Sequence, residues 1–461
     1  MLAPLGQRDD FVELGWFTER LASFGDLTAM VWRNKSFSFS LLLKKSEIWL
    51  RHLKDAGIPR GSCVAIVGDF SPGTCSLLLA LIRGEYVAVP ISRRFFAKSP
   101  ETLETACVKY VVEFDNYGEY VGKIIEKPNQ NALIKKLVKD NDPGLVLFTS
   151  GSSGYPKAVL HSFKKLLKKS RRPSSGKITL TFLLLEHIGG IDTLLHLFAI
   201  GGTAVCIGNR EPETVCRAIK KYKVDFLPTT ATFLRMLLLS KVYEKFDLSS
   251  LEIISYGSEP MPASLLASLV KILPQIKFKQ SYGITELGAL PTKSRANDST
   301  WFSIDNKIET KIEEERLWIR NDSAMLGYLN SDSNFDSDGW YDTGDRVIQE
   351  GEFIKILGRE SELINVGGEK VFPIEIESTI LEIPEVSDVT ISGKENAVMG
   401  NVVMAKIKIT ENAEKKGLVK KIRAHCIKRL DASFKVPAII TISEIDLHGD
   451  RFKKLRVHVD E

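Results

Sequence analysis

What the sequence lacks narrows the field first. Its six cysteines (Cys63, Cys75, Cys107, Cys206, Cys216 and Cys426) stand singly, with no CxxC pair and no histidine at zinc-ligand spacing. Neither a zinc module nor a disulfide scaffold is expected; buried, reduced thiols are. No apolar run approaches the ~20 residues that cross a bilayer, and one of the longest, residues 77–82, falls far short. The opening stretch MLAPLGQRDDFVELGW follows its one arginine with two acids and has no apolar core. A signal peptide is therefore not expected, and the cytoplasm is the expected location. No charge sign dominates: 63 basic against 58 acidic residues leave +5, which makes no electrostatic case for a nucleic-acid partner. Internal repeats and low-complexity segments are absent too.

What is present is an ordinary globular composition, 44% hydrophobic and 26% charged, over 461 residues. That length exceeds what one core usually serves, so two or more domains are expected. FSFSLLLKKSEIWLRHLKDAGI reads as a short strand and an amphipathic helix with Leu42, Trp49, Leu50 and Leu53 inward, closed by Gly57. CVAIVG then reads as a buried strand, and TCSLLLALIRGEYVAVP as a helix and another strand. Further strands are expected at 179–185, 203–207, 225–228, 253–256 and 277–280. Strand–helix alternation with near-continuous apolar strands predicts a parallel sheet covered on both faces, an α/β fold. After about Leu357 short strands and Lys-rich helices suggest a smaller α+β domain.

Five segments carry chemistry. LVLFTSGSSGYPKAV runs an apolar strand into a Thr/Ser/Gly loop that ends at Lys157. Such a loop offers backbone N–H groups, hydroxyls and one cation to phosphate oxygens, although Pro156 before Lys157 departs from the usual P-loop. SYGSEP and SYGITELG each place Tyr-Gly near the carboxyl end of a strand, where parallel sheets bind ligands. Tyr282 suits stacking on a purine, Thr285 can donate to a phosphate, and Glu286 can hold a hydrated Mg²⁺. WYDTGDRV turns at Thr343-Gly344 to present Asp345, whose carboxylate can accept from both hydroxyls of a ribose. ILGRESELINVGGEKVFPIEIE adds Arg359 and the pair Gly367-Gly368. A basic run, SFKKLLKKSRRPSSGK, has Ser162 as a helix N-cap with Phe163, Leu166 and Leu167 on one face. Its lysines form either a solvated face or a dock for an anionic partner such as a nucleotide phosphate or an acidic carrier protein.

In this order the segments TSGSSGYPKA, GSEP, SYGITE, YDTGD and GR…NVGGEKVFPIEIE strongly resemble the adenylate-forming (acyl-activating) superfamily of AMP-dependent synthetases and ligases. Among its members the chain is most similar to acyl-CoA and aryl-CoA synthetases. The resemblance implies a large N-terminal domain (1–357) of mostly parallel sheets layered with helices, plus a small β-barrel-like part. A small mobile α+β domain (358–461) carrying a catalytic lysine would follow. It implies that Thr149, Ser150, Gly151, Ser152, Ser153, Gly154 and Lys157 grip the phosphates of ATP. Gly257, Ser258, Glu259, Pro260, Tyr282 and Gly283 would form the adenine site. Thr285 would contact the α-phosphate, Glu286 hold Mg²⁺, and Asp345 and Arg359 bind the ribose. His187, in EHIGG, would lie beside the acid's carboxylate, whereas His161 and His196 have no such match and read as structural. The implied reaction turns a fatty or aromatic acid into an acyl-adenylate and then passes the acyl group to a thiol. That thiol is coenzyme A or the phosphopantetheine of an acidic carrier protein, and the enzyme would be a monomer or homodimer.

The C-terminal signature departs from the family pattern. LHGDRFKKLRV aligns Lys453 with Arg456, making Lys453 the catalytic candidate and Lys454 the fallback, but Phe452 replaces a glycine and Gly449 a threonine. Ser361 stands at the hinge in place of Asp or Lys. These departures keep open a non-catalytic nucleotide-binding homologue. HIGG lacks the aspartate that amino-acid-activating members place there, which favours a plain acid, while nearby Asp192 leaves the amino-acid alternative open. Ile188, Ile191 and Leu287 are expected to line an apolar acid pocket.

Overall fold

The computed structural model describes residues 14–126, 128, 130–149, 155–410, 413–444 and 447. Two seven-stranded sheets form the bulk of the chain. One runs in the order Gly327–Tyr328, Lys157–Ser162, Gly144–Thr149, Val87–Ile91, Cys63–Val67, Val108–Phe114, Tyr120–Ile124. Its central four strands are parallel and its outer pairings antiparallel. Every residue of Cys63–Val67 and Val87–Ile91 is buried. Their alternate side chains divide between two cores: Val64, Ile66 and Ala88 join one, while Cys63, Ala65, Val67, Val87 and Val89 join the other. A strand whose odd and even positions are both buried needs cover on both faces, which explains the unbroken apolar runs.

The helix Pro72–Arg83 supplies much of that cover. Ser71 and Thr74 close a reciprocal capping box at its start, with Pro72 at the first helical position. Its run from Leu77 to Ile82 is buried all round, because one core joins it to residues of both large sheets, among them Val64, Met30 and Ala204. Each such leucine contributes about 1.5–3 kcal/mol by leaving water. The helix Phe39–Asp55 buries Leu42, Trp49 and Leu53 as expected, with Leu50 half-buried.

The second sheet is ordered Lys277–Gln280, Ile253–Tyr256, Phe226–Thr229, Ile178–Leu180, Thr203–Val205, Thr28–Trp32, Lys35–Ser38, all parallel except the last pair. Two of its strands are shorter than expected. After Leu180 the chain tightens, with Phe182 N–H donating back to the Leu180 carbonyl, and Phe182 turns its own carbonyl to Arg210. A six-stranded antiparallel sheet follows, in the order Thr292–Ser294, Phe302–Ile304, Phe353–Arg359, Tyr341–Glu350, Arg316–Arg320, Glu309–Glu313. It is the small β part. Its strand Phe353–Arg359 continues two residues past Leu357.

From Ile364 a separate five-stranded sheet forms, built on the long hairpin of Val386–Asn396 and Gly400–Ile409 and packed against the helices Pro373–Ile380 and Leu418–Arg429. Gly367 and Gly368, at φ +61° and +93°, make the turn between Ile364–Val366 and Glu369–Val371. One guanidinium ties this unit to the large one. Arg235, on the helix Ala231–Ser240, donates to the carbonyls of Val386 (2.6 Å) and Ser387 (2.7 Å). Burial holds its pKa down at about 10, against the pull of Asp388. All six cysteines are free thiols, and only Cys206 is not fully buried. Among the described residues no helix is long and apolar enough to cross a membrane.

Candidate functional site

Three strand pairings bring most of the motif residues to one wall. Tyr282–Ile284 pairs antiparallel with Gly288–Leu290, with Ile284 opposite Gly288. Thr285, Glu286 and Leu287 therefore form the tip of a three-residue hairpin, which Gly288 closes at φ +78°. Asp345 lies within the strand Tyr341–Glu350, directly opposite Arg359. The expectation of a free turn at Thr343-Gly344 is corrected here: Gly344, at φ +67°, kinks a continuous strand, and Asp345 is 5% exposed.

Asp345 is the centre of the first cluster. Its Oδ2 accepts from the Tyr282 hydroxyl at 2.6 Å and its Oδ1 from Arg359 Nε at 3.2 Å. Burial pushes the carboxyl upward while the Arg359 charge and the Tyr282 hydrogen bond pull it back, and burial prevails. Burial, and after it the charge of the same carboxylate, pushes the Tyr282 phenol well above its ordinary range. Each carboxylate oxygen keeps one acceptor site beyond these bonds. One face of the Tyr282 ring is already taken by Phe302, stacked at 5.8 Å.

Glu286 anchors the second cluster. Its Oε1 accepts from the Tyr328 hydroxyl at 2.7 Å, which lies 3.0 Å from the Tyr341 hydroxyl. Lys157 Nζ sits 4.8 Å from the centre of the Tyr328 ring, a cation–π contact. The expected phosphate lysine and the expected metal carboxylate thus meet through one tyrosine. Tyr328 reaches this point because Gly327–Tyr328 pairs with Lys157–Ser162, and Asn330 clamps the same strand through Ala158 N–H and the Pro156 carbonyl. Beneath the hairpin tip lies His161, fully buried, with Nε2 2.7 Å from the Thr285 carbonyl. A carbonyl only accepts, so the proton is on Nε2. Burial lowers the imidazole pKa to about 4, keeping it neutral. Tyr328, Tyr341, Asn330 and this positioning role of His161 were not read from the sequence. The run Leu326-Gly327-Tyr328-Leu329-Asn330 carried the available signal, a glycine–tyrosine pair in a short apolar stretch.

The SYGSEP loop approaches the same wall. A Cβ at Gly257 would lie 2.4 Å from Ser281 Oγ, so only glycine permits the two Tyr-Gly loops to touch. Ser258 is held at φ +68°, a conformation that costs a non-glycine residue about 1–2 kcal/mol. Both carboxylate oxygens of Glu259 accept from Thr232, from the backbone N–H and the hydroxyl, at the start of the helix Ala231–Ser240. Pro260 follows, half-buried. Thr149 is paired with Lys157 at the base of the hairpin that holds the Ser/Gly loop. The loop residues 150–154 and the candidate Lys453, with its fallback Lys454, lie outside the described residues.

His187 occupies the N-cap position of the helix Ile188–Ala199, half-buried. The apolar residues assigned to an acid pocket are corrected: Ile191 and Leu287 are fully buried and Ile188 is 9% exposed, so they serve as core. Asp192 binds Lys169 at 2.6 Å, which neutralises the carboxylate that an amino-acid substrate would need. The basic run also finds partners. Lys168 pairs with Asp322 at the surface, and Lys164 donates to the Asp140 carbonyl while keeping its charge. Elsewhere, a cavity of about 640 Å³ opens at the carboxyl ends of Cys63–Val67, Val87–Ile91 and Val108–Phe114. None of the nucleotide-motif residues lines it, although Glu186, next to His187, does.

The wall has the make-up of a nucleotide site: a buried carboxylate paired with a half-exposed arginine, a second carboxylate and a lysine within one cluster. Comparison with known proteins agrees. A model of the AMP-binding enzyme family matches residues 17–329, and one of the AMP-binding enzyme C-terminal domain matches residues 360–450. The chain belongs to the AMP-binding enzyme family. Its relatives in that family include a 4-coumarate–CoA ligase-like protein of Arabidopsis thaliana, 27% identical over 58% of this chain and 53% of that protein. Another is indoleacetate–CoA ligase of Aromatoleum aromaticum, 25% identical over 82% of this chain and 84% of that one. The match spans between half and three fifths of the length of the plant relatives. The AMP-binding fold itself is matched by an anthranilate CoA ligase solved with anthranoyl-AMP, TM-score 0.80 at 17% identity over 95% of both chains. An o-succinylbenzoate CoA synthetase from Bacillus subtilis follows at TM-score 0.77 and 20% identity, over 97% of this chain and 98% of that one.

Proposed function

We propose that this protein is an AMP-forming acid–thiol ligase. A carboxylate oxygen attacks the α-phosphorus of ATP, pyrophosphate leaves, and an acyl-adenylate forms. A thiol then attacks the acyl carbon and expels AMP, a far better leaving group than oxide. The observation that carries this reading is the joining of Tyr282, Asp345 and Arg359 to Glu286, Tyr328 and Lys157 in one wall.

The first step brings two anions together, so charge stabilisation is the protein's main task. Asp345 and Arg359 would hold the ribose, with Tyr282, Gly283, Gly257, Ser258 and Pro260 around the adenine. Thr149, residues 150–154 and Lys157 would hold the outer phosphates, and Thr285 the α-phosphate. His161 fixes the Thr285 backbone from below. No cluster of three His, Cys, Asp or Glu side chains occurs among the described residues. That fits a Mg²⁺ shared between one carboxylate, Glu286, and substrate phosphates better than an all-protein metal site. When bound there, the ion would offset phosphate charge. His187 would stand beside the acid, and Lys453, on a mobile unit 358–461, would reach the reacting phosphate in the first step only.

Coenzyme A is the favoured acceptor over a carrier protein. The 640 Å³ cavity is lined by Arg33, Arg93, Arg217 and Lys221 together with Trp32 and Tyr222, groups that suit a phosphorylated ligand with a planar ring. A plain carboxylic acid is favoured over an amino acid because Lys169 neutralises Asp192.

ATP–pyrophosphate exchange with a panel of fatty and aromatic acids tests the proposal. Exchange with at least one acid is expected, abolished in Lys453→Ala, while that variant still transfers a preformed acyl-adenylate to coenzyme A. Folded protein that binds ATP yet exchanges with no acid would instead favour the non-catalytic reading suggested by Phe452 and Ser361.

A further inference from the structure

One edge of the first sheet is left bare. In Tyr120–Ile124 all five residues are exposed, with Val121 at 73% and Ile124 at 46%, and the neighbouring Tyr117 at 72%. Natural edges are usually guarded by proline, bulges or unmatched charge. Here the charges are matched instead. Glu119 and Lys123 flank Val121 at equal spacing on the same face of the strand, and neither has an ion-pair partner within the chain among the described residues.

The hydrogen bonds fix which backbone groups face outward. Asp115 N–H donates to the Glu119 carbonyl and Ile125 N–H to the Lys109 carbonyl, so odd-numbered residues turn their backbone groups toward Val108–Phe114. The backbone groups of Tyr120, Gly122 and Ile124 therefore point away from the sheet.

We propose that a second copy of this chain pairs antiparallel along this edge, about a twofold axis through Val121. That register sets Tyr120 opposite Gly122 of the other copy as hydrogen-bonded pairs that use the outward groups. It sets Val121 against itself, and Glu119 against Lys123 on both sides, as the closer, non-hydrogen-bonded pairs. The contact is isologous: one patch complements itself in shape and in charge. A shift that sets Gly122 against itself would oppose Val121 to Lys123 and forfeit both ion pairs. So short an edge buries less than the ~1,000 Å² of a stable interface, which makes this an association that responds to concentration.

Sedimentation equilibrium of the full chain across rising concentration tests it. A monomer–dimer equilibrium is expected in the wild type, weakened about tenfold by Glu119→Lys or Lys123→Glu alone, and restored when both reversals are combined. Val121→Cys should oxidise to a covalent dimer, since the axis brings the two Val121 positions together. Melting temperatures would show that the variants fold. A wild type that stays monomeric throughout, a dimer indifferent to the single reversals, or a double reversal that fails to recover would each overturn the proposal.

Discussion

The nucleotide-motif wall and the seam between the two units are built by opposite means. The wall is a network: Tyr282, Asp345 and Arg359 on one side and Glu286, Tyr328 and Tyr341 on the other are tied by short bonds and rooted in strands. At the seam Arg235 grips backbone carbonyls, with the charge of Asp388 drawing on the same guanidinium. The network resists displacement because its central charge, Asp345, is buried, and a buried charge left unpaired is costly. A guanidinium on carbonyls can let go and be hydrated. The contrast suits the proposed reaction, in which a fixed binding surface would serve both steps while the smaller unit would change place between them.

Breaking the wall should have the largest effect. Asp345→Ala leaves Arg359 and the Tyr282 hydroxyl without their acceptor, and a loss of about 3 kcal/mol would lower exchange roughly a hundredfold. Asp345→Asn should lose less, and ATP affinity measured by calorimetry should fall in step. Wild-type exchange in Asp345→Ala would remove the ribose assignment. Glu286→Gln keeps an acceptor for Tyr328 but removes the charge, so the Mg²⁺ concentration needed for half-maximal exchange should rise by about tenfold. Tyr328→Phe should cost only a few-fold.

His161 sharpens the comparison through stability. Its folded pKa, about 4, lies below the ordinary 6.5, so the unfolded chain binds the proton first. Stability should be complete above the unfolded value and fall as pH drops from 6.5 toward 4, by up to about 3 kcal/mol. His161→Gln retains a donor for the Thr285 carbonyl and should flatten that part of the urea-denaturation profile. Breaking the seam should have the mildest effect. Arg235→Ala should leave ATP affinity unchanged and alter the ratio of adenylation to thiol transfer by a few-fold, read by assaying each half-reaction separately.

Much of this architecture was legible in the residues themselves. Cys63–Val67 and Val87–Ile91 were readable because a strand buried on both faces has no polar positions to interrupt it. The order of the five motifs pointed to the family before any pairing was known. What stayed hidden was set by register between distant segments. That Tyr328 reaches Glu286 depends on its pairing with Val159, and nothing local announces such a partner. The partners of Glu259 and Asp192 stayed hidden for a related reason: a charged side chain near a motif looks available until Thr232 or Lys169 is found to hold it.

Arg359 is both the partner of Asp345 and the last residue of its strand, five positions before the strand Ile364–Val366 opens the second unit. If the smaller unit turns as proposed, whatever settles on that carboxylate bears on the point about which it turns, and the orientation there alters in turn how firmly the visitor is kept. Occupancy and swing would be two readings of one equilibrium.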